Sequence, residues 1–177
     1  TTSGSAEADI TVAAGGGSVD LSGYSLELSL NNGSSTHTVD ISGSYDHGSY
    51  IVVARNTASQ SEWAADFNPA LTAAQTQNIA AYFDTAGSSS FNGDDNDVAT
   101  IKSGTSNVDT GTIPKDKIAT RQGDGTFAES DTSAGATGAP STVTGVSAPI
   151  YIFEMGEKGS ATNLTDYNSN YIMLFIP

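Results

Sequence analysis

The stretch Tyr171-Ile-Met-Leu-Phe-Ile-Pro177 decides the fold. An unbroken run of large apolar side chains, with no polar residue to face water, reads as a strand buried on both faces. Such a strand must lie in a core, either its own or a neighbour's. A chain end is ordinarily polar and frayed unless packing ties it down. A second strand precedes it: Pro149 introduces Ile150-Tyr-Ile-Phe-Glu-Met155, and the polar span 156–169 separates the two. Ile150, Ile152, Phe153, Tyr171, Ile172, Met173, Leu174, Phe175 and Ile176 are therefore expected to carry either closure of a sheet or assembly of subunits.

Shorter strand patterns lie upstream, with turn residues between them. Ala8-Asp-Ile-Thr-Val12 alternates, placing Ile10 and Val12 on one face. Tyr24-Ser-Leu-Glu-Leu-Ser-Leu30 alternates with Leu26, Leu28 and Leu30 inward. Asn31-Asn-Gly33 reads as a hairpin turn, and His37–Ile41 as the answering strand. Ser49–Ala54 reads as a deeper strand, and Val98–Lys102 and Val108–Ile113 as further ones. Between them, residues 61–84 change period. Ser61 is a helix-cap candidate, and Pro69–Phe83 carries a loose stripe of Leu71, Ala74, Ile79 and Phe83. Trp63 and Phe67 are expected to pin this helical insertion to the sheets. The span 123–146 is rich in Gly, Ser, Thr, Ala and Pro and predicts a flexible loop or linker. The expectation is one all-β sandwich domain over 1–177, with a short helical insertion around 61–84 and a C-terminal strand pair in 147–177.

The 177 residues are enough for a real core. Lys and Arg number 6 against 20 Asp and Glu, a formal charge of −14. That field repels phosphate backbones, so no nucleic-acid partner is expected. The absence of Cys excludes disulfides and thiolate metal sites. No apolar run approaches the ~20 residues of a membrane helix, so no membrane insertion is expected. No basic segment precedes an apolar one at the start, which fits a mature secreted chain. The acidic, Lys-poor composition points to an extracellular or cell-surface setting. Asn32-Gly-Ser34 and Asn163-Leu-Thr165 match the N-glycosylation acceptor pattern.

Val19-Asp-Leu-Ser-Gly-Tyr-Ser-Leu26, then Gly48-Ser-Tyr-Ile-Val-Val-Ala54, then Phe91-Asn-Gly-Asp-Asp-Asn-Asp-Val98 form an ordered set. Together they resemble lamin-tail domains, immunoglobulin-like β-sandwiches of nuclear lamins and many secreted bacterial proteins. The resemblance covers roughly residues 18–115 and implies an immunoglobulin-like fold. In that family a strand pair precedes the Asp-Leu-Ser-Gly motif. Here a similar pair stands at the far end, as Ile150-Tyr-Ile-Phe-Glu-Met155 and Tyr171–Ile176, without the family's acidic residue in the second strand. The resemblance therefore implies a circularly permuted domain. Its C-terminal pair either folds back in cis or fills the groove of the next subunit by strand addition.

Asp94, Asp95, Asn96 and Asp97 form the densest carboxylate cluster, a candidate calcium loop or a structural turn. Their spacing is not that of an EF-hand. His37, His47 and Asp46 are weighed as a metal site, with incidental surface histidines as the alternative. Lys115, Lys117 and Arg121 form the one basic cluster, read as a solvated loop or as a bridge to an acidic patch on a neighbour. No nucleophile elbow, phosphate loop or dinucleotide fingerprint is present. The expected function is a non-enzymatic extracellular structural subunit of a filament or surface assembly, built from copies of itself by β-strand donation, with no cofactor beyond calcium. The alternative is a monomeric binding module for carbohydrate or cell surface, with Tyr24, Tyr45, Tyr50 and Tyr82 as candidate contacts. A hydrolase with a concealed site is a third reading.

Overall fold

Alternation in one strand sets the first layer. In the computed structural model, β2 (Tyr24–Leu30) buries Leu26, Leu28 and Leu30 completely and leaves Ser25, Glu27 and Ser29 on the other side. The structure describes residues 17–54, 64, 70–85, 97–115, 117–135, 137–157 and 170–177. β2 pairs with β3 (Ser35–Asp40) and with β7 (Val98–Ser103), which pairs in turn with β8 (Ser106–Thr112). This four-stranded antiparallel sheet has order β3-β2-β7-β8. Its hairpin turn holds Asn31 and Asn32 at φ 51° and 56° and Gly33 at 81°. Asn and Gly tolerate this left-handed region better than other residues do.

The second layer runs, strand by strand across it, β10 (Phe127–Ser130), β9 (Ile118–Arg121), β11 (Tyr151–Glu157), β12 (Asn170–Phe175), β5 (Tyr50–Ala54) and β6 (Ile79–Asp84). Ile51, Val53, Ile152, Met155, Ile172 and Leu174 face the first sheet and join its leucines in one core. The opposite face of the same sheet is also apolar. Tyr50, Val52, Tyr151, Phe153, Tyr171, Met173 and Phe175 form a second core, covered by Ala64, Leu71 and Val143 from the connections. The protein is thus an all-β sandwich with a third, loop-built layer.

The Asp20-Leu-Ser-Gly23 motif makes a corner, and Asp40-Ile-Ser-Gly43 repeats it. Asp20 accepts the Ser22 amide at 2.9 Å, and Asp40 accepts the Ser42 amide at 2.9 Å. The two corners interlock: Leu21 N–H donates to Gly43 O at 2.8 Å, and Ile41 N–H to Tyr24 O at 3.3 Å. Leu21 and Ile41 are fully buried. A two-stranded ribbon of β1 (Ser18–Asp20) and β4 (Ser44–Asp46) flanks them.

The expected helix over Pro69–Phe83 is corrected. It is confined to α1 (Ala73–Gln77), opened by a capping box in which Thr72 accepts Gln75 N–H at 3.2 Å and Gln75 Oε1 accepts Thr72 N–H at 2.7 Å. Ile79–Asp84 is instead β6, parallel to β5. Ala81 and Phe83 pack on the inner core and Tyr82 on the outer one. A period of two with β-forming side chains thus wins over the helical stripe. Trp63, Phe67 and the expected strand Ala8–Val12 lie outside the described residues. The span 123–146, read as a flexible linker, carries β10 and buries Ser133 and Val143.

Candidate functional site

The C-terminal strand pair was the candidate assembly element, and the structure places both strands in the middle of this chain's own sheet. β12 pairs antiparallel with β11 on one side and β5 on the other, from Tyr171↔Ala54 to Phe175↔Tyr50. Beyond the strand, Ile176 N–H donates to Ser49 O at 3.0 Å and Gly48 N–H to Ile176 O at 2.7 Å. Tyr171, Ile172, Met173, Leu174 and Ile176 are fully buried, and Phe175 is 9 % exposed. Ile150 and Ile152 are fully buried and Phe153 is 1 % exposed. Every candidate assembly residue is therefore core in this structure.

β11 breaks the alternation. A register irregularity between Ile152 and Glu154 leaves Phe153 and Glu154 both on the outer face, with Ile152 and Met155 inward. This is what a β-bulge does. It carries a carboxylate into the outer core, where Glu154 is fully buried. Thr120 Oγ1 donates to Glu154 Oε2 at 2.9 Å, Ala134 N–H to Oε2 at 2.8 Å and Tyr171 Oη to Oε1 at 2.7 Å. Ser133 Oγ also donates to Oε1. Among the described residues four neutral donors, rather than a cation, bond this acceptor. Burial, followed by the nearby Glu154 charge, pushes the Tyr171 phenol well above its ordinary range. The network ties the connection at Ser133 and Ala134 onto the sheet. Gly135 then meets α1 closely: a Cβ there would lie 2.9 Å from both Gln75 Nε2 and Leu71 Cδ2.

On the inner side, β9 diverges from β11 before Ile152, since their register runs only from Glu154↔Thr120 to Gly156↔Ile118. Ionic side chains take over the edge. Asp109 Oδ2 accepts Ile152 N–H at 2.7 Å, and Arg121 Nε donates to Ile152 O at 3.2 Å. Arg121 Nη2 bonds both Asp109 oxygens at 2.6 Å. Both side chains are buried, 6 % and 5 % exposed. Arg121 Nη1 reaches Gly125 O at 3.0 Å, and the guanidinium lies 4.0 Å over the Phe127 ring. Because Asp109 belongs to β8, this pair also bridges the two sheets.

Arg121 is thus corrected: it is neither solvated nor available to a neighbour. Lys117 pairs with Asp131, and Lys115 is exposed. Of the candidate calcium loop, Asp94, Asp95 and Asn96 lie outside the described residues. Asp97 is fully buried, its Oδ1 accepts Asn31 N–H at 2.7 Å, and its carbonyl accepts Ile113 N–H at 2.8 Å. It braces the β2–β3 turn against the end of β8. Among the described residues no group of three or more His, Cys, Asp and Glu is placed to hold a metal. His37 is half-buried on β3, while His47 contacts the Pro177 carbonyl.

The four candidate tyrosines, all among the described residues, pack on the two cores rather than together on one face. Tyr50 is buried among Phe153 and Phe175, with ring centroids 5.7 and 4.8 Å away. Tyr45 donates to Ile41 O at 3.2 Å, and Tyr24 and Tyr45 pack on the inner core. The open face of the four-stranded sheet carries hydroxyls and an ion pair instead: Thr38, Glu27, Thr100 and Thr110 lie in one cross-strand row. Lys102 Nζ reaches Glu27 Oε2 at 2.7 Å. A recess of about 170 Å³ beside Val143 and Val146 is lined by small residues, Tyr151 and Pro177.

No helix among the described residues is long and apolar enough to cross a membrane. No protein-family model, curated protein or solved structure matches the chain.

Asp109 and Arg121 each sit on a strand among polar neighbours, and only the divergence of β9 from β11 makes them partners. Glu154 carried one legible signal, a lone carboxylate in an apolar run.

Proposed function

We propose that the chain is a non-enzymatic extracellular structural protein, of permuted lamin-tail type, that polymerises with itself by exchanging β12. The single observation behind this reading is the slot of β12. It is the most apolar segment of the chain, and ladder bonds to β5 and β11 together with apolar packing hold it there. A second copy's strand makes the same bonds in the same slot, which is strand addition in trans. Such a contact is heterologous and generates a filament when its rotation does not close. The exchanged unit is β12 alone rather than the pair. β11 is fastened by Asp109, Arg121, Thr120 and Ser133, whereas β12 contributes the Tyr171 hydroxyl to the same network.

A second reading is favoured by the cis placement itself: a self-contained extracellular domain acting as a monomeric binding module. Burial of Tyr50 weakens a tyrosine-based sugar platform, so such a module would make its cell-surface contact through the hydroxyl-rich face.

Negative-stain electron microscopy with light scattering on the purified chain separates the two. Filaments or an oligomer ladder that grows with concentration support exchange. A monomer near 18.0 kDa at all concentrations overturns it and supports the module.

A further inference from the structure

We propose that Asn32 is an N-glycan acceptor, and this rests on the extracellular placement above. Asn32-Gly33-Ser34 matches the acceptor tripeptide, and all three residues are exposed at the tip of the β2–β3 hairpin. Surface loops of secreted proteins are where such acceptors lie. The tip is held locally: Gly33 N–H donates to Leu30 O at 3.1 Å, Ser34 N–H to Asn31 O at 3.2 Å, and Ser34 Oγ to Asn31 O at 2.8 Å. Opening it gives up those bonds together with what holds Asn32 itself, and the three side chains of the tripeptide are already exposed. Local openings of this kind lie at the low end of a protein's free-energy range. The stem stays clamped meanwhile, because Asp97 holds Asn31 N–H at 2.7 Å and Leu30 is fully buried below it. A transferase can therefore draw out the tripeptide without unzipping the sheet.

Turn chemistry alone accounts for Asn at position 32, whose φ is 56°. Gly would serve that backbone equally well. The glycan reading adds the requirement for a side-chain amide at 32 and a hydroxyl at 34. The co-substrate is a lipid-linked oligosaccharide pyrophosphate. The Asn32 amide nitrogen forms a bond to the anomeric carbon, the carbon–phosphate oxygen bond breaks, the lipid pyrophosphate leaves, and the amide loses one proton to the transferase.

The test is peptide mass spectrometry on the full chain recovered from the cells that make it, after fractionation into surface and cytoplasm. Asn32→Gly keeps the left-handed turn and removes the amide, while Ser34→Ala keeps the amide and removes the hydroxyl. The expected result is a sugar adduct on the Asn32 peptide of the parent, lost in both variants with unchanged circular dichroism. A surface-located chain with bare Asn32 overturns the site and leaves the extracellular reading standing. A chain confined to the cytoplasm overturns that reading and the site with it.

Discussion

The two sheets of this protein solve the same burial problem in opposite ways. The four-stranded sheet has one dry face and one wet face, so β2 alternates between leucine and polar residues and its turn is plain in the sequence. The centre of the six-stranded sheet is dry on both faces, so β5 and β12 are continuous apolar runs. Polar groups are cheap on the first sheet, where Lys102 and Glu27 keep side-chain exposures of 25 % and 30 %. In the middle of the second sheet and at its seam with the first they are buried and hydrogen-bonded, as at Glu154 and at the pair of Arg121 with Asp109 of β8. Burying a charge without partners is far more costly than leaving it in water.

The largest test of that contrast is Phe153→Ala against Thr100→Ala. The first empties part of the outer core and is expected to destabilise by about 3–5 kcal/mol. The second changes a hydroxyl on the wet face and should stay within about 0.5 kcal/mol. Equal losses in chemical denaturation would break the distinction between the faces.

Nearly as large is Arg121→Ala, which leaves Asp109 buried without its cation and Ile152 O without a donor. Its expected cost is about 3–5 kcal/mol, while a double replacement by apolar residues of similar volume, Arg121→Met with Asp109→Leu, should recover much of it. A double variant as damaged as the single would show that the pair's bonds to Ile152 matter more than its charge.

Glu154→Gln should cost about 1–3 kcal/mol, because an amide presents one acceptor oxygen where the two carboxylate oxygens accept four hydrogen bonds. Thermal melts at neutral pH check this.

Smaller near neutrality is the alkaline response. Burial raises the phenols of Tyr171, Tyr151 and Tyr50 above the ordinary value of 10.0. The unfolded chain then ionises first, so stability is full below about pH 10 and falls as pH rises from there through the folded values. Each such tyrosine contributes about 1.4 kcal/mol per pH unit within that window. Tyr171→Phe should flatten the decline by one tyrosine's share, and an unchanged slope in alkaline melts would remove Tyr171 from the account.

Much of the sandwich was legible because period and turn chemistry are local. Leu26, Leu28 and Leu30, the Asn31–Gly33 turn and the apolar runs at Ser49–Ala54 and Tyr171–Ile176 announce their strands directly. β6 was not legible. Ile79, Tyr82 and Phe83 fit a helical stripe as well as a strand, and parallel pairing with β5 decides between them. β9 and β10 are short and half polar, so their pairing is visible only once β11 is in place. Of the candidate site, the apolar residues were found. The Arg121–Asp109 pair joins positions on different sheets, and no spacing rule reaches across that distance.

The position of β12 also sets an order of events. Its neighbours in the sheet are residues 50–54 and 151–157, so the middle of the larger sheet closes only after translation has passed residue 175. Until then β5 offers an unfilled edge with apolar flanks, the kind of surface that attracts stray strands and chaperones during synthesis. Contacts spanning so much sequence also slow the search for the native state. The interval between making β5 and making β12 is therefore the period in which this chain is most open to a strand from another molecule.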